Sequence, residues 1–298
     1  MSSATSERVT IGVVGGSGLY GLSDLHDARE IEVETPFGPP SDVFRVGTIN
    51  GVRAAFLARH GKGHHLLPAE VNYRANVWAF KSLGVERLIA ASAVGSLRES
   101  IAPRHVVTAD QFIDRTRHRR GTFFGDGLVA HVALADPVCA ELRERLTTTA
   151  RELGATVHDG GIYLCMEGPA FSTRAESELY RSWGAHVIGM TNLQEAVLAR
   201  EAEICYATLA LVTDYDCWHE DEEDVTVAAL LDNLEANARL AARTVVRVVG
   251  ELGNRPRTCP CRQALQDAVL TPLDRVPAAT LKRLEPILAR WREAHGGS

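Results

Sequence analysis

Short apolar runs recur along this chain, and most stop at a cluster of glycine or polar residues before a stretch with helical periodicity begins. Val9 to Val14 runs into Gly15-Gly16-Ser17-Gly18, Val52 to Ala58 into Arg59-His60-Gly61, and Arg87 to Ala93 into Val94-Gly95-Ser96. Ala185 to Met190 leads into Thr191-Asn192, and Ile204 to Thr213 into Asp214-Tyr215-Asp216; His105 to Ala109 and Gly161 to Met166 are further strand-like runs. Between them, Pro68 to Leu83 places Val71, Ala75, Trp78 and Ala79 on one helical face, with Gly84 as its stop. Helices are also predicted from Asp136-Pro137 to Leu153, Thr173 to Trp183, Leu193 to Ala202 and Val225 to Leu252. This alternation predicts an α/β fold: one domain with a central mixed, mainly parallel sheet flanked by helices. The expected organisation is a flexible N-terminus over 1–8, one domain over 9–252, and an extension over 253–298. The extension carries Cys259-Pro260-Cys261 and a last helix near Pro277 to Ala294, and is expected to pack on the same domain.

A net charge of −6 argues against nucleic acid as a partner. The basic run Arg115 to Arg120 reads as a solvated loop. No apolar run approaches the ~20 residues of a membrane helix, and Met1 to Glu7 lacks the apolar core of a secretory signal; the expectation is a cytoplasmic protein that does not engage membranes. Six cysteines in 298 residues are too sparse for a disulfide scaffold. Cys165, Cys205 and Cys217 lie in apolar stretches and read as core. The Cys259-Pro260-Cys261 pair is compatible with a disulfide, a metal site or neither. No second pair with zinc spacing accompanies it, so no metal is expected.

Ligands of open α/β sheets bind beyond the carboxyl ends of the strands, so five polar clusters at such ends predict one composite site. Gly16, Gly18 and Gly21 match the spacing G-x-G-x-x-G, but Glu34, at the position for a ribose-binding acid, runs into the loop Thr35-Pro36-Phe37-Gly38, which disfavours a dinucleotide. Glycine backbone N–H groups with the Ser17, Ser92 and Thr191 hydroxyls, the Arg59 guanidinium and a hydrogen bond donated by His60 would make a phosphate cradle. The lesser alternative for Arg59 is a structural role, satisfying strand-end carbonyls. Asp214 and Asp216, one residue apart after an apolar strand, can divide into a proton donor and an ionised partner if partly buried, as the following Trp218 suggests. Otherwise they are surface acids, as Glu220 to Asp224 is expected to be.

The strings GGSGLYG, ARHGKGH, VNYRANVWAFKSLG, SAVGSL, DQFIDRT, MEGPAFSTRAE and TDYDCW resemble the trimeric purine nucleoside phosphorylase family, and within it the methylthioadenosine phosphorylases, from about Val9 to Leu252. The resemblance implies phosphorolysis of a purine nucleoside, with phosphate as co-substrate and no cofactor, in a homotrimer or a dimer of trimers. It implies phosphate binding at Ser17, Arg59, His60, Ser92, Ala93 and Thr191. Phe171 and Met190 would contact purine or ribose, and Ser172, Asp214 and Asp216 would hold the base, with Asp214 and Asp216 catalytic. His131, Val227, Leu230 and Leu231 would surround a 5′-methylthio group, in a pocket closed by a neighbouring subunit. Two aspartates at the base edge favour a 6-amino purine over a 6-oxo purine. Adenosine or methylthioinosine as substrate, a hydrolytic nucleosidase and a non-catalytic nucleotide-binding protein are the competing readings. The chain departs from the common family pattern at Ala170, where arginine is frequent, and at Asn192 and Gln194, which replace threonine and proline. The Cys259-Pro260-Cys261 tail resembles that of some thermostable archaeal members in which cysteines form disulfides, and Cys139 with Cys205 is a further conceivable pair.

Overall fold

The computed structural model describes residues 8–16, 24–219, 227–253 and 255–296, with backbone alone given for 227–231. Its centre is an 11-stranded mixed sheet. Strand β1 (Ile11–Gly15) lies between β4 (Val52–Ala58) and β5 (Arg87–Ser96), parallel to both, and β11 (Cys205–Tyr215) lies parallel to β5 on its other register edge. These four strands are almost wholly buried and rich in Val, Ile, Leu and Ala, as strands covered on both faces require. Their parallel run brings the polar clusters after β1, β4, β5 and β11 to one side of the sheet. Strand β10 (Val187–Gly189) runs antiparallel to the last residues of β5, Val187 opposite Ser96, so its exit at Met190 turns back beside Ser92.

Several strands lay beyond the sequence pattern. β2 (His26–Ile31) is an edge strand with mostly exposed residues, paired antiparallel with β3 (Phe44–Ile49), and neither shows a long apolar run. β7 (Gln111–Arg115) pairs parallel with β9 (Ile162–Met166), and β8 (Val157–Asp159) with β6 (Val106–Thr108). β5 and β11 extend further than their apolar runs, so Ser92 to Ser96 and Asp214 sit within strands and not after them.

Helices flank the sheet: α1 (Tyr73–Ser82), α2 (Ala140–Glu152), α3 (Arg174–Ser182), α4 (Asn192–Glu201) and α5 (Val227–Leu252). α1 begins five residues after Pro68 because Asn72 caps it, its side chain accepting from the Ala75 N–H at 3.1 Å. α2 does not start at Asp136-Pro137, since the Cys139 N–H bonds the Tyr206 carbonyl at 2.8 Å and ties that segment to β11. α3 carries a complete capping box between Thr173 and Glu176. The last helix is two, α6 (Ala278–Arg283) and α7 (Glu285–Ala294), broken at Leu284 ahead of Pro286, which has no N–H to continue the ladder. Among the described residues no helix is long and apolar enough to cross a membrane.

Glu203 fastens the C-terminal extension. It sits just after α4 with φ of 56°, a left-handed conformation that glycine usually takes. Its buried carboxylate accepts the Leu265 N–H at 3.0 Å and forms an ion pair with Arg290, while its carbonyl accepts from Arg257 at 2.7 Å. Leu265, Leu284, Ile287 and Leu288 complete the same apolar cluster as Phe80 and Leu88. Glu203→Gln is therefore expected to lower unfolding free energy by about 1–3 kcal/mol, less than a fully buried pair because Arg290 is partly exposed. Glu203→Gly, which relieves the backbone but loses the latch, should also destabilise; urea unfolding showing Glu203→Gly at or above wild type would mean that the carboxylate contributes nothing.

Candidate active site

The carboxyl ends of β1, β4 and β5 and the start of α4 are joined by a buried polar network. Arg59 follows β4 and is 1% exposed. Its guanidinium holds the Glu195 carboxylate through Nε at 2.5 Å and Nη2 at 3.2 Å, and donates to the carbonyls of Ala91 at 2.9 Å and Val14 at 3.4 Å. Burial alone would lower its pKa, but Glu195 reverses this and raises it well above the usual value. Tyr206 donates to Glu195 at 2.9 Å, Asn192 donates to Tyr206 at 2.7 Å and Thr208 at 3.2 Å, and Ser92 donates to Asn192 at 2.6 Å. Both readings of Arg59 thus meet in one residue. It satisfies strand-end carbonyls, and of its five N–H groups one on Nη1 faces no acceptor among the described residues.

His60 follows Arg59 beyond the end of β4. It is buried, its Nδ1 lies 2.9 Å from the Leu66 carbonyl, and burial with the Arg59 charge lowers its pKa to about 4. The ring is then neutral at pH 7 with its proton on Nδ1, leaving Nε2 an acceptor. In this state Nε2 is free to accept from a phosphate O–H. Thr191 is buried and its side chain does not cap α4, and Ala93 is exposed at the sheet end. Ser17 lies outside the described residues.

At the next strand end, β11 shifts register between Val212 and Asp214. This irregularity carries Asp214 over Gly95, where a side chain would meet Asp214 Oδ1 at 3.2 Å and Asp216 Cβ at 3.6 Å. The Thr213 hydroxyl lies against Asp214 Oδ2. Asp216 Oδ2 is buried and finds no partner among the described residues. Trp218 packs behind, buried, its Nε1 donating to the Ser96 carbonyl at 2.8 Å. Cys217 is exposed, contrary to its reading as core, because it follows the end of β11 in the loop. Met190 faces Gly168, whose missing Cβ makes room for the thioether. Ser172 accepts at its carbonyl from Cys217 and lies beside Met166, and Phe171 is 82% exposed.

His131 is not brought to this cluster by any described contact. Its backbone pairs with Ala268, on a segment that bridges to the extension. Val227, Leu230 and Leu231 fall on the first turns of α5, and their side chains lie outside the described residues.

The sequence matches the model of the phosphorylase superfamily over residues 10–250. The chain belongs to this superfamily. It is 57% identical to an S-methyl-5′-thioadenosine phosphorylase of Geobacter sulfurreducens over 94% of this chain and 98% of that protein. Its fold is similar to a crystal structure of a methylthioadenosine phosphorylase from an Antarctic soil metagenomic library, with a TM-score of 0.91 and 46% identity, covering 95% of this chain and 99% of that one. It is similar also to a mutant adenosine/methylthioadenosine phosphorylase from Schistosoma mansoni solved in complex with methylthioadenosine, with a TM-score of 0.77 and 36% identity, covering 84% and 93% of the two chains.

On this phosphorylase-superfamily frame, two residues outside the sequence reading hold the site together. One is Glu195, the counter-charge of Arg59. The other is Arg119, whose neighbours Arg115, Arg117, His118 and Arg120 are exposed as a solvated run should be. Arg119 alone turns inward, its side chain 2% exposed. It donates to the carbonyls of Met190 at 2.6 Å and Glu167 at 2.6 Å, to Gln194 at 3.1 Å and to Tyr73 at 3.2 Å. Asn192 and Gln194, the departures from the family pattern, are both members of these networks. Nothing in a loop sequence marks which arginine points inward.

Glu195→Gln is expected to cost about 3–5 kcal/mol of unfolding free energy, because it strands the buried Arg59 charge; a loss under 1 kcal/mol would show the pair to be dispensable. The His60 shift has a sign that can be measured. Its folded pKa lies below the unfolded 6.5, so its stabilising contribution is complete above that value and is lost as pH falls toward 4. Unfolding free energy of the wild type should decline more steeply over that window than that of His60→Gln, and parallel slopes would remove the assignment.

Proposed function

We propose that this chain catalyses phosphorolysis of 5′-methylthioadenosine, giving adenine and 5-methylthioribose 1-phosphate. The observation that carries the base assignment is the buried Asp216 Oδ2, without a partner among the described residues, next to Asp214 at the end of β11. A carboxylate oxygen removed from water needs a donor, and the 6-amino group of adenine supplies one. A 6-oxo purine would set an acceptor against it. Asp214 delivers a proton to N7 as the glycosidic bond breaks, so that adenine leaves neutral. Phosphate attacks the anomeric carbon and balances the developing oxocarbenium charge. It is held by the spare Arg59 N–H, the Thr191 hydroxyl, Ser17, the backbone at Ala93 and the start of α4, with His60 accepting from its O–H, and Ser92 donates to it once its hydroxyl turns from the Asn192 side chain.

Phe171, Ser172 and Met190 line the purine and ribose, and Val227, Leu230 and Leu231 the methylthio end. His131, which no described contact joins to these residues, would come from a neighbouring copy in a homotrimer or dimer of trimers, which also covers Phe171. The reaction needs no cofactor beyond phosphate as co-substrate, and a cytoplasmic location belongs to the same reading.

Adenine release from methylthioadenosine is expected to require inorganic phosphate and to exceed release from adenosine or of hypoxanthine from methylthioinosine. Release without phosphate would make the enzyme a hydrolase. Asp214→Asn should lower kcat by about 10²-fold or more, and unchanged turnover would remove Asp214 as the acid. Asp216→Asn, whose amide can donate to a 6-oxo group, should shift preference toward methylthioinosine.

A further inference from the structure

We propose that Cys139, Cys205, Cys259 and Cys261 form a tetrathiolate site for one zinc ion that clamps the C-terminal extension to the sheet. The Sγ atoms of these four residues lie within 4.8 Å of one another. A tetrahedral zinc with bonds of about 2.3 Å holds its sulfurs about 3.8 Å apart, so the group needs only small adjustments to close on a metal. All four are free thiols, and Cys205 and Cys259 stand 3.2 Å apart, too far for a covalent bond.

Their placement explains why linear spacing concealed the group. Cys139 is the N-cap residue of α2, Cys205 opens β11, and Cys259 and Cys261 flank Pro260 at a short 3-10 turn, Pro260–Gln263. The backbone aligns the first two, because the Cys139 N–H bonds the Tyr206 carbonyl at 2.8 Å. The C-x-C pair of the tail then meets a second pair that the fold, and not the sequence, brings together. Cys139, Cys205 and Cys261 are buried and Cys259 half-buried, which leaves an entry path from one side.

Four thiolates around Zn²⁺ carry a net charge of −2, and a buried cation lies in the same neighbourhood. Arg87 is the register partner of Cys205 on β5, and its guanidinium is buried. It donates to the Arg255 carbonyl at 2.9 Å and stays 3.9 Å from Glu141, its nearest carboxylate. Arg255 precedes Cys259 by four residues and Glu141 follows Cys139 by two, so Arg87 spans both halves of the cluster. The site is structural. Asp214 is nine residues along β11 from Cys205, a distance of about 30 Å at strand rise, and four protein sulfurs leave the metal no open position for substrate. The soft sulfur set selects zinc over magnesium or calcium.

The test is zinc content of the purified full-length chain by atomic emission, together with thiol titration before and after a strong chelator. One zinc per chain is expected, with four thiols becoming reactive only when the metal leaves. Exchange for Co²⁺ should give the visible absorption of a tetrahedral tetrathiolate. Cys259→Ser combined with Cys261→Ser should abolish zinc binding, and Cys217→Ser should keep it. If the double variant fails to fold, the wild-type metal content and cobalt spectrum decide alone. A chain that holds no zinc and takes up neither zinc nor cobalt after reduction would overturn the proposal. So would peptide mapping that finds these cysteines joined as disulfides, or a coloured iron–tetrathiolate centre in place of zinc.

Discussion

The architecture of the strand ends depends on one buried ion pair. Arg59 and Glu195 come from sequence positions 136 residues apart, one after β4 and one on the first turn of α4, and both are almost without solvent. Desolvating two such charges is unfavourable unless every remaining donor and acceptor is matched. Here the matching is done by the carbonyls of Val14 and Ala91, the Tyr206 hydroxyl and, through Tyr206, by Asn192 and Ser92. The pair therefore fixes where β1, β4, β5 and β11 end relative to α4. A network joined at this many points holds the strand ends and α4 together, with one Arg59 Nη1 N–H left without an acceptor among the described residues.

The network also changes what the strand-end residues can offer. Arg59 contributes much of its charge to Glu195, so anion binding falls more heavily on hydroxyls, backbone N–H groups and the helix start. His60 is held neutral by its burial and, secondarily, by the same guanidinium. A neutral acceptor beside a cation and several donors suits a phosphate that still carries one proton.

What the sequence made legible follows from the physics of each signal. The central strands are covered on both faces, so β1, β4, β5 and β11 are long apolar runs that could be read, although β5 and β11 run on through the polar residues that marked their ends. The edge strand β2 is exposed and the three-residue β8 is too short and too polar to carry a period, so neither was read, whereas the equally short β6 was legible from its buried valines. Asp214, Asp216 and the strand-end hydroxyls were visible because polar residues abruptly interrupt apolar runs. Glu195 and Arg119 were not, since a charged residue within a helix or a basic loop reads as solvated until tertiary packing buries it. The cysteine cluster failed for a related reason: Cys139 and Cys205 look like ordinary core residues, and only the fold sets them against Cys259 and Cys261.

Strand β11 ties these features into one mechanical unit. At its N-terminal end Cys205 meets α2 and the extension, in its middle Tyr206 and Thr208 enter the Arg59–Glu195 network, and at its C-terminal end the irregularity at Thr213 aims Asp214 over Gly95. A strand hydrogen-bonded to β5 over ten residue pairs cannot slide at one end without moving the other. The extension, fastened through Glu203 just before this strand, thus bears on the position of Asp214 without approaching it. On the Phe171 side, no such support is present among the described residues. Phe171 is exposed, and the His131 segment is committed to the extension. The rigid wall thus rests on β11 and the network behind it, and the Phe171 side faces solvent.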